Sequence, residues 1–447
     1  MSSPSLSFPS IEVDIQPSEA GIVHFLRCAP SVDGEDETGL LNLRLRMTNN
    51  HTGNIRIREI RIKVSGSSTP HERFFVALPA PGDPALAPNA SVSWNQAKDH
   101  VFAIPESPRL KIEVFADHFP EPAVIRRDLI QHANPTPSGN YRFWGRAGDL
   151  EPGEYWRVHG TGHKQTKQQM FAYDVRVGIG KDGGFDHLKP NPNSEPNWGS
   201  INENHRIWGK SVYAVASGVV AHCLNTFPDN EFAGDLTEEI EDLIEAAGHG
   251  NGNFFTITTE NETVLYAHLQ EGTLNEELVR VGPGAQVRTG DFLGLVGNSG
   301  SSSAPHLHIH ANRSNTGSQS WDDHGRPMLF RQAAAVAWSA LGSFNDTPWV
   351  ALAGRGMPTA DCAVWPGNPP PKHPDIREEV TIDPLALVLT GSVYVDLTLP
   401  DPPPFELVRD RVRTIIRKMS PEEKRRALGR LKSLDVYYKE LQRELER

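Results

Sequence analysis

The sequence predicts a mainly β protein with an N-terminal β-sandwich, a central antiparallel β domain and a C-terminal helical tail. Short runs between residues 11 and 115 alternate apolar and polar side chains, as strands with one buried face require. Similar runs continue from 170 to 310, whereas apolar residues in the last 43 recur at helical spacing. We expect domains at 1–135, 136–345 and 405–447, and a Pro-rich linker with one short strand at 346–404.

The first domain is expected to consist of paired strands. Alternation from Leu41 to Met47, a turn at His51–Asn54 and renewed alternation from Ile55 predict a hairpin. The parity changes between Ile57 and Ile60, which indicates a β-bulge. With further runs around Val92 and Leu110, the pattern favours a sandwich of about 110 residues. No catalytic constellation lies in it, so its expected role is positioning or binding.

The central domain is expected to be mostly β with one helical insertion. A short acidic helix is predicted over residues 235–247 and ends near Gly248. Residues 181–206 are rich in Gly, Asn and Pro and predict a long loop, which in a compact domain is usually functional or disordered. The predicted strands are 170–177, 210–220 in two parts, 254–259, 264–269 and 292–296.

The tail is predicted to form two helices. The segment 405–419 is followed by Ser420-Pro421-Glu422-Glu423, a capping box with Pro at the first helical position. An apolar seam follows at Leu431, Leu434, Tyr438, Leu441 and Leu445. Residues 405–447 carry 13 basic and 8 acidic side chains, a local charge of +5. We expect a helical hairpin packed on its own protein, with self-association or binding of a protein partner as the alternative.

Composition excludes several classes of function. The net charge of −12 disfavours a nucleic-acid partner. The three cysteines, Cys28, Cys223 and Cys362, form neither a disulfide framework nor a cysteine zinc motif, so any metal must be held by His and carboxylates. No stretch approaches the ~18 apolar residues of a membrane span, and no secretory signal is visible. We expect a protein that either stays inside the cell or leaves it by a route that does not use a cleaved signal peptide.

A run of histidines carries the strongest chemical signal. His306, His308 and His310 alternate with apolar residues directly after the Gly/Ser-rich segment 297–303. In a strand, alternate residues share a face, so the three imidazoles line one surface suited to coordination. Buried structural histidines are the open alternative. Two further strand-like segments, Tyr266–Leu269 and Phe171–Asp174, favour a metal site because each adds a polar side chain among apolar ones.

Taken together, residues 163–310 resemble the lysostaphin-like (LytM-type) zinc metalloendopeptidases of bacterial cell walls. Four segments carry the resemblance in the family's order, namely Phe171–Asp174, Val212–Val219, Tyr266–Leu269 and Val287–His308. The last, which ends Gly-Asn-Ser-Gly-Ser-Ser-Ser-Ala-Pro-His-Leu-His, is the most specific. The resemblance covers about a third of the chain and does not extend to the N-terminal domain or the tail.

The resemblance implies one Zn²⁺ per chain, with Asp174 and His308 as zinc ligands and His268 and His306 as catalytic histidines. The common first ligand is the His of a His-x-x-x-Asp motif, but this position holds Met170. Some relatives have Gln-Arg-(Tyr/Phe)-Ala-Tyr-Asp here and supply the histidine from upstream. The candidate first ligand is therefore His163, with His159 in reserve.

The resemblance further implies an endopeptidase that hydrolyses peptide bonds in the cross-links or stem peptides of peptidoglycan. Three protein ligands would leave zinc one open position for water, which the metal acidifies. His310 lies one step further out and is expected at the groove edge or behind the ligands. A non-hydrolytic metal-binding module that recognises cell-wall peptides or regulates a partner hydrolase is the main alternative. A cytosolic peptidase acting on soluble peptides is another.

Overall fold

The computed structural model describes residues 10–19, 21–66, 72–78, 85–96, 100–117, 119–133, 140–151, 153–159, 169–181, 184–260, 262–313, 324–342 and 347–367. This part of the chain is mainly β, as the sequence predicts. The candidate ligand His163, the strand expected within 346–404 around residues 385–399 and the helical tail at 405–447 lie outside these ranges. No helix in the described ranges is long and apolar enough to cross a membrane.

The described strands are numbered in chain order. They are β1 Ile11–Gln16, β2 Ser18–Glu19, β3 Ile22–Cys28, β4 Thr38–Leu41, β5 Arg44–Asn49, β6 Ile57–Ser65, β7 Glu72–Leu78, β8 Ser91–Asn95, β9 His100–Ala103, β10 Arg109–Ala116, β11 Ala123–Gln131, β12 Tyr141–Arg142, β13 Tyr155–His159, β14 Tyr173–Lys181, β15 Gly184–Asp186, β16 Ser211–Tyr213, β17 Gly218–Leu224, β18 Asn253–Thr258, β19 Glu262–Leu269, β20 Gln286–Val287, β21 Phe292–Leu295, β22 Leu307–Arg313, β23 Gly325–Arg326, β24 Phe330–Arg331, β25 Ala333–Ala337, β26 Val350–Ala351 and β27 Cys362–Pro366. The α-helices of the same part are α1 Glu238–Ala247 and α2 Glu276–Val281, with single 3-10 turns at Ala147–Asp149, Trp198–Ser200, Asn202–Asn204 and Trp338–Ala340.

The N-terminal region contains two sheets that share one apolar core. One has the order β1-β5-β8, and the other has the order β7-β6-β10-β11-β3-β4-β9 with β2 beside β3. Alternate residues of β5 and β10 are buried, which matches the period-two pattern of the sequence. The core joins Ile15 and Leu45 of the first sheet to Ile62 and Ile112 of the second.

The hairpin expected around residues 51–54 is wrong. Strand β5 pairs with β1 and β8, whereas β6 pairs with β10 and β7, so the chain crosses between sheets at residues 50–56. Both arms alternate as the sequence indicates, but alternation specifies the buried face of a strand and not its partner. The expected bulge is confirmed, because the register of β6 with β10 shifts between Ile57 and Glu59.

The central sheet has the order β20-β17-β18-β19-β22-β14-β13-β27-β25-β26, with β15 beside β14 and β23 beside β22. Its strand pairs are antiparallel, and its core contains the fully buried Trp144, Trp156 and Tyr266. Strand β27 pairs with β13 and β25, so the sheet extends beyond residue 345, where the sequence analysis ended this domain.

The predicted helix in the insertion is confirmed and shorter at its start. Helix α1 begins after Thr237, whose side chain accepts a hydrogen bond from the Ile240 amide, and it ends at Gly248 with φ 70°. Residues 181–206 contain β15 and two 3-10 turns within the expected loop.

The N-terminal region contacts the central domain next to the candidate site. Leu26, Leu40 and Cys28 pack with Met170 and Phe171 in a small buried cluster. The Asn42 side-chain amide donates a hydrogen bond to the Met170 carbonyl at 2.8 Å. The N-terminal region therefore supports the segment that leads directly into Asp174.

Candidate active site

Three neighbouring strands bring the candidate residues together. In the register of the sheet, Asp174 of β14 lies opposite His308 of β22, and His308 lies opposite Ala267 of β19. Leu307 and Ile309, on either side of His308, are buried in the core. Because neighbouring residues of a strand point to opposite faces, Asp174 and His308 project from the face away from that core.

Asp174 and His308 offer two metal-binding atoms at a suitable separation. Nδ1 of His308 lies 3.0 Å from Oδ1 of Asp174. Two ligands of a tetrahedral zinc ion, each about 2.0–2.1 Å from the metal, lie about 3.3 Å apart. The Asp174 side chain is 33% exposed and the His308 side chain 4%, so the pair is accessible from the carboxylate side. A carboxylate and an imidazole at this spacing fit two positions of a zinc site.

His310 lies behind His308 in a hydrogen-bond relay. Nε2 of His308 is 2.8 Å from Nδ1 of His310. The side-chain amide of Asn312 lies 3.2 Å from Nε2 of His310, and a His310 ring that accepts from His308 at Nδ1 needs the amide oxygen at that position in place of the nitrogen. For His308 to coordinate a metal through Nδ1, its proton must lie on Nε2 and be donated to His310. His310 is thus a partner of a candidate ligand, the arrangement that commonly orients metal-binding histidines.

His306 presents one nitrogen to the same cluster. Its Nδ1 lies 2.8 Å from the Ala304 carbonyl oxygen and 3.1 Å from the Ser302 hydroxyl. A carbonyl oxygen only accepts, so Nδ1 carries the proton and donates it. Nε2, 3.7 Å from Oδ1 of Asp174, then has an available lone pair. His306 is oriented as a proton acceptor beside the candidate ligands.

His268 reaches the cluster through a β-bulge. Its neighbour Tyr266 lies in the core, and strict alternation would place His268 on the same side. Ala267 and His268 together lie opposite the single residue Phe254, and His268 has a left-handed backbone with φ 61°. The bulge turns the imidazole to within 4.7 Å of the His306 ring, centroid to centroid.

The proton positions of His268 follow the same rule. Its Nδ1 donates to the Ser299 carbonyl at 2.8 Å, which leaves the lone pair on Nε2. Burial holds the pKa of His268 well below its usual range, and the neighbouring His306 and His308 lower it further. Burial also lowers the pKa of His306. Both rings are therefore neutral near pH 7.

The Gly/Ser-rich loop before β22 is held by polar residues that the sequence analysis did not identify. The Asp229 carboxylate accepts hydrogen bonds from the amides of Asn298 at 2.7 Å and Glu271 at 2.9 Å. The Asn230 side chain donates to the carbonyls of Gly300 and Ser302. These residues come from residues 225–234, which showed no motif or periodicity, so only the fold identifies their role.

The structure therefore brings together four of the five expected site residues, Asp174, His268, His306 and His308. The candidate His163 lies outside the described ranges. The backbone of His159, the reserve ligand, lies opposite that of Asp174 in the antiparallel pairing of β13 with β14. Within the described ranges no three His, Cys, Asp or Glu side chains are arranged to hold a metal ion. A complete site requires at least one ligand in addition to Asp174 and His308.

The family comparison agrees with the resemblance inferred from the sequence motifs. Residues 204–320, about a quarter of the chain, match the profile of Peptidase family M23. The match includes His268, His306 and His308, whereas Asp174 precedes it. No curated protein matches the chain.

Several solved structures are similar to parts of the chain. The catalytic domain of a prophage-encoded M23 protein, EnpA from Enterococcus faecalis, is 14% identical, with 40% of this chain and 91% of that chain covered and a TM-score of 0.21. The catalytic domain of lysostaphin from Staphylococcus simulans is 21% identical, with 31% of this chain and 85% of that chain covered and a TM-score of 0.17. A zinc-containing peptidase from Vibrio cholerae is 11% identical, with 63% of this chain and 83% of that chain covered and a TM-score of 0.20.

Proposed function

We propose that this chain, whose residues 204–320 match the profile of Peptidase family M23, is a zinc-dependent endopeptidase that hydrolyses peptide bonds of peptidoglycan. The match to this family supports a peptidase acting on peptide substrates. The metal, the bacterial cell-wall substrate and the roles of individual residues are our proposal. The observation that carries it is the 3.0 Å approach of Nδ1 of His308 to Oδ1 of Asp174, with two further histidines beside them.

In the proposed site Asp174 and His308, together with a histidine from upstream, His163 or, in reserve, His159, would hold one Zn²⁺. A bound zinc ion would acidify water and polarise the scissile carbonyl.

The protein's own histidines provide the proton transfers. Nε2 of His306 accepts a proton from the attacking water, because its Nδ1 proton is already donated to the Ala304 carbonyl. His306, once protonated, can pass that proton to the leaving amine, and His268, fixed by the Ser299 carbonyl, presents a second Nε2 lone pair that can accept a proton. Each ring is held through Nδ1 and works through Nε2.

The other parts of the chain are proposed as accessory modules. The N-terminal region, which we interpret as a β-sandwich, contacts the segment before Asp174 through Asn42 and so supports the site. The C-terminal helices are proposed for packing on the protein, self-association or a protein partner. We further propose that the protein acts in the cell envelope or outside the cell.

One observation favours the second candidate, a non-hydrolytic module that recognises cell-wall peptides. Met170 occupies the common position of the first ligand and is 1% exposed, packed against Leu26 and Leu40. Met170 therefore serves as a packing residue and not as a metal ligand. A site without an upstream histidine would have only two protein ligands.

Hydrolysis and metal dependence separate these functions. We expect the purified full-length protein to release peptide fragments from cell-wall sacculi. This hydrolysis should stop when a chelator removes zinc and should resume when zinc is restored. Binding to sacculi with no hydrolysis at full zinc occupancy would favour the non-hydrolytic module. Cleavage of soluble cross-linked peptides without any action on sacculi would favour a peptidase of soluble peptides.

A further inference from the structure

An arginine extends the row of candidate site residues along β14. Arg176 follows Asp174 by two positions and therefore shares its face of the sheet. Val175, between them, pairs with Leu307 of β22. Continuing this register by one residue places Arg176 beside His306, the proposed base. Arg176 thus lies at one end of the proposed metal centre.

Arg176 faces another arginine on the neighbouring strand. In the pairing of β13 with β14, Arg157 lies directly opposite Arg176. Like charges in this position repel, which destabilises the pair of strands. Arg157 is neutralised by Asp361, whose Oδ2 lies 2.5 Å from its Nη2, and its guanidinium stacks over Phe185 at 4.4 Å. One of the two cations therefore has an anionic partner.

Arg176 has no such partner in the described part of the chain. It is half-buried, and none of the residues within the described ranges forms a hydrogen bond or an ion pair with it. A guanidinium carries five donors in a planar fork that matches a carboxylate. Burial and the charge of Arg157 lower the pKa of Arg176, whereas the charge of the Asp174 carboxylate, which forms no ion pair with it, raises it. A half-buried guanidinium that forms no ion pair with a described residue, opposite a second arginine, is suited to an anionic group from a ligand.

The surroundings of Arg176 form a wall of flat rings. The Phe185 ring packs so closely on β14 that a Cβ added at Gly178 would lie 2.0 Å from it. His187 stacks on Phe185 with centroids 5.8 Å apart, and His205 lies 5.3 Å from His187. Burial and the charge of Arg176 lower the pKa of both imidazoles, that of His187 to about 4. The nearest acidic side chain of this hairpin, Asp186, accepts a hydrogen bond from the Leu188 amide at 3.1 Å.

We propose that Arg176 binds a carboxylate of the peptide substrate next to the scissile bond and so selects acidic peptides. This inference rests on the proposed function, because it assigns a substrate contact to the same site. A substrate carboxylate would pair with the Arg176 guanidinium through two hydrogen bonds and offset the repulsion from Arg157. The wall of Phe185, His187 and His205 would exclude part of the water, which strengthens the pairing.

The test varies the charge of substrate and protein together. The probe is a cross-linked stem-peptide dimer from cell walls, compared with the same dimer after conversion of its carboxylates to primary amides. We expect the wild type to cleave the carboxylate form at least tenfold more efficiently, mainly through a lower KM. Arg176→Gln is expected to lose this preference and Arg176→Lys to retain part of it. Arg280→Gln, which removes an exposed charge on α2, is the matched control and should keep the preference.

A second readout measures binding of both dimers by calorimetry in the same proteins. Equal cleavage of both dimers by the wild type would overturn the proposal and leave the proposed function intact. A preference that survives in Arg176→Gln would also overturn it. Binding of the carboxylate dimer that depends on Arg176, without any cleavage, would support the proposal and contradict the proposed function. Neither binding nor cleavage would overturn both.

Discussion

The N-terminal sheets and the central sheet are both largely antiparallel, yet they bury their strands differently. In β5 and β10 buried residues alternate with more exposed ones, and the polar side chains lie on the outer face. All eight residues of β19 are buried, as are the first five of β22, including His268, His308 and His310. Buried polar groups are costly unless they are paired, so these histidines need one another and Asp174.

This difference in burial suggests that the N-terminal sheets support the site and that the central sheet carries the reactive side chains. Strands β5 and β10 of the N-terminal region turn their polar side chains outward, whereas β19 and β22 of the central sheet gather polar side chains on a second buried face. The following substitutions test whether zinc binding and hydrolysis depend only on that face of the central sheet. They are ordered from the largest expected effect to the smallest.

His306→Ala removes the proposed base and leaves the proposed ligands in place. We expect turnover to fall by about 10²–10⁴-fold, the usual contribution of general base catalysis, with zinc still bound. Activity on wall peptides and zinc content should be measured on the same preparation, with His222→Ala on β17 as an exposed histidine control. Loss of zinc from the His306 variant would mean that ligand and base have been exchanged.

His163→Ala tests the upstream ligand. We expect little zinc to remain in this variant, because two protein ligands hold a zinc ion poorly. His159→Ala is the matched control and should retain its zinc. The reverse result, with zinc retained in the first variant and lost in the second, would assign the ligand to His159.

His310→Ala tests the relay behind His308. Removing the partner of a metal-binding histidine costs about 10–100-fold in metal affinity, so we expect zinc binding to weaken by that factor. Competition with a chelator of known affinity measures it. An unchanged affinity would show that His310 only lines the groove.

Two leucine variants compare the regions directly. Leu45 and Leu307 are both 0% exposed, and truncation of either to Ala is expected to cost about 2–5 kcal/mol in unfolding free energy. Leu307→Ala should also weaken zinc binding, because Leu307 lies between His306 and His308. Leu45→Ala should leave zinc affinity unchanged in the folded protein. Denaturant unfolding and zinc titration give both quantities, and equal effects on zinc would remove the distinction between the regions.

The sequence predicts the strands and the histidine face because both follow from alternation. The bulge in β6 was visible as a change of parity at Ile57. The bulge at His268 was not, because Tyr266-Ala267-His268 alternates like an ordinary strand and only pairing with β18 shows two residues opposite one. Strand pairing was likewise inaccessible, which is why the hairpin after Met47 was wrong.

Contacts distant in sequence explain what else was missed. Asp229 and Asn230 hold the loop before β22 through backbone hydrogen bonds, which leave no signature in residue spacing. Arg176 belongs to no motif, because it is a single charge in a strand, and its position opposite Arg157 depends on the register of β13 with β14. By contrast, the motifs had singled out Asp174 and His308, and Oδ1 of the first lies 3.0 Å from Nδ1 of the second.

We propose that Asp174 and His308 bind a zinc ion required for peptide hydrolysis. Elemental analysis of purified wild type and His308→Ala tests it most directly, alongside circular dichroism to verify folding. We expect one zinc per chain in the wild type and little in the folded variant, together with loss of hydrolysis. Equal zinc content in the two proteins, or a wild type without zinc that still hydrolyses wall peptides, would contradict it.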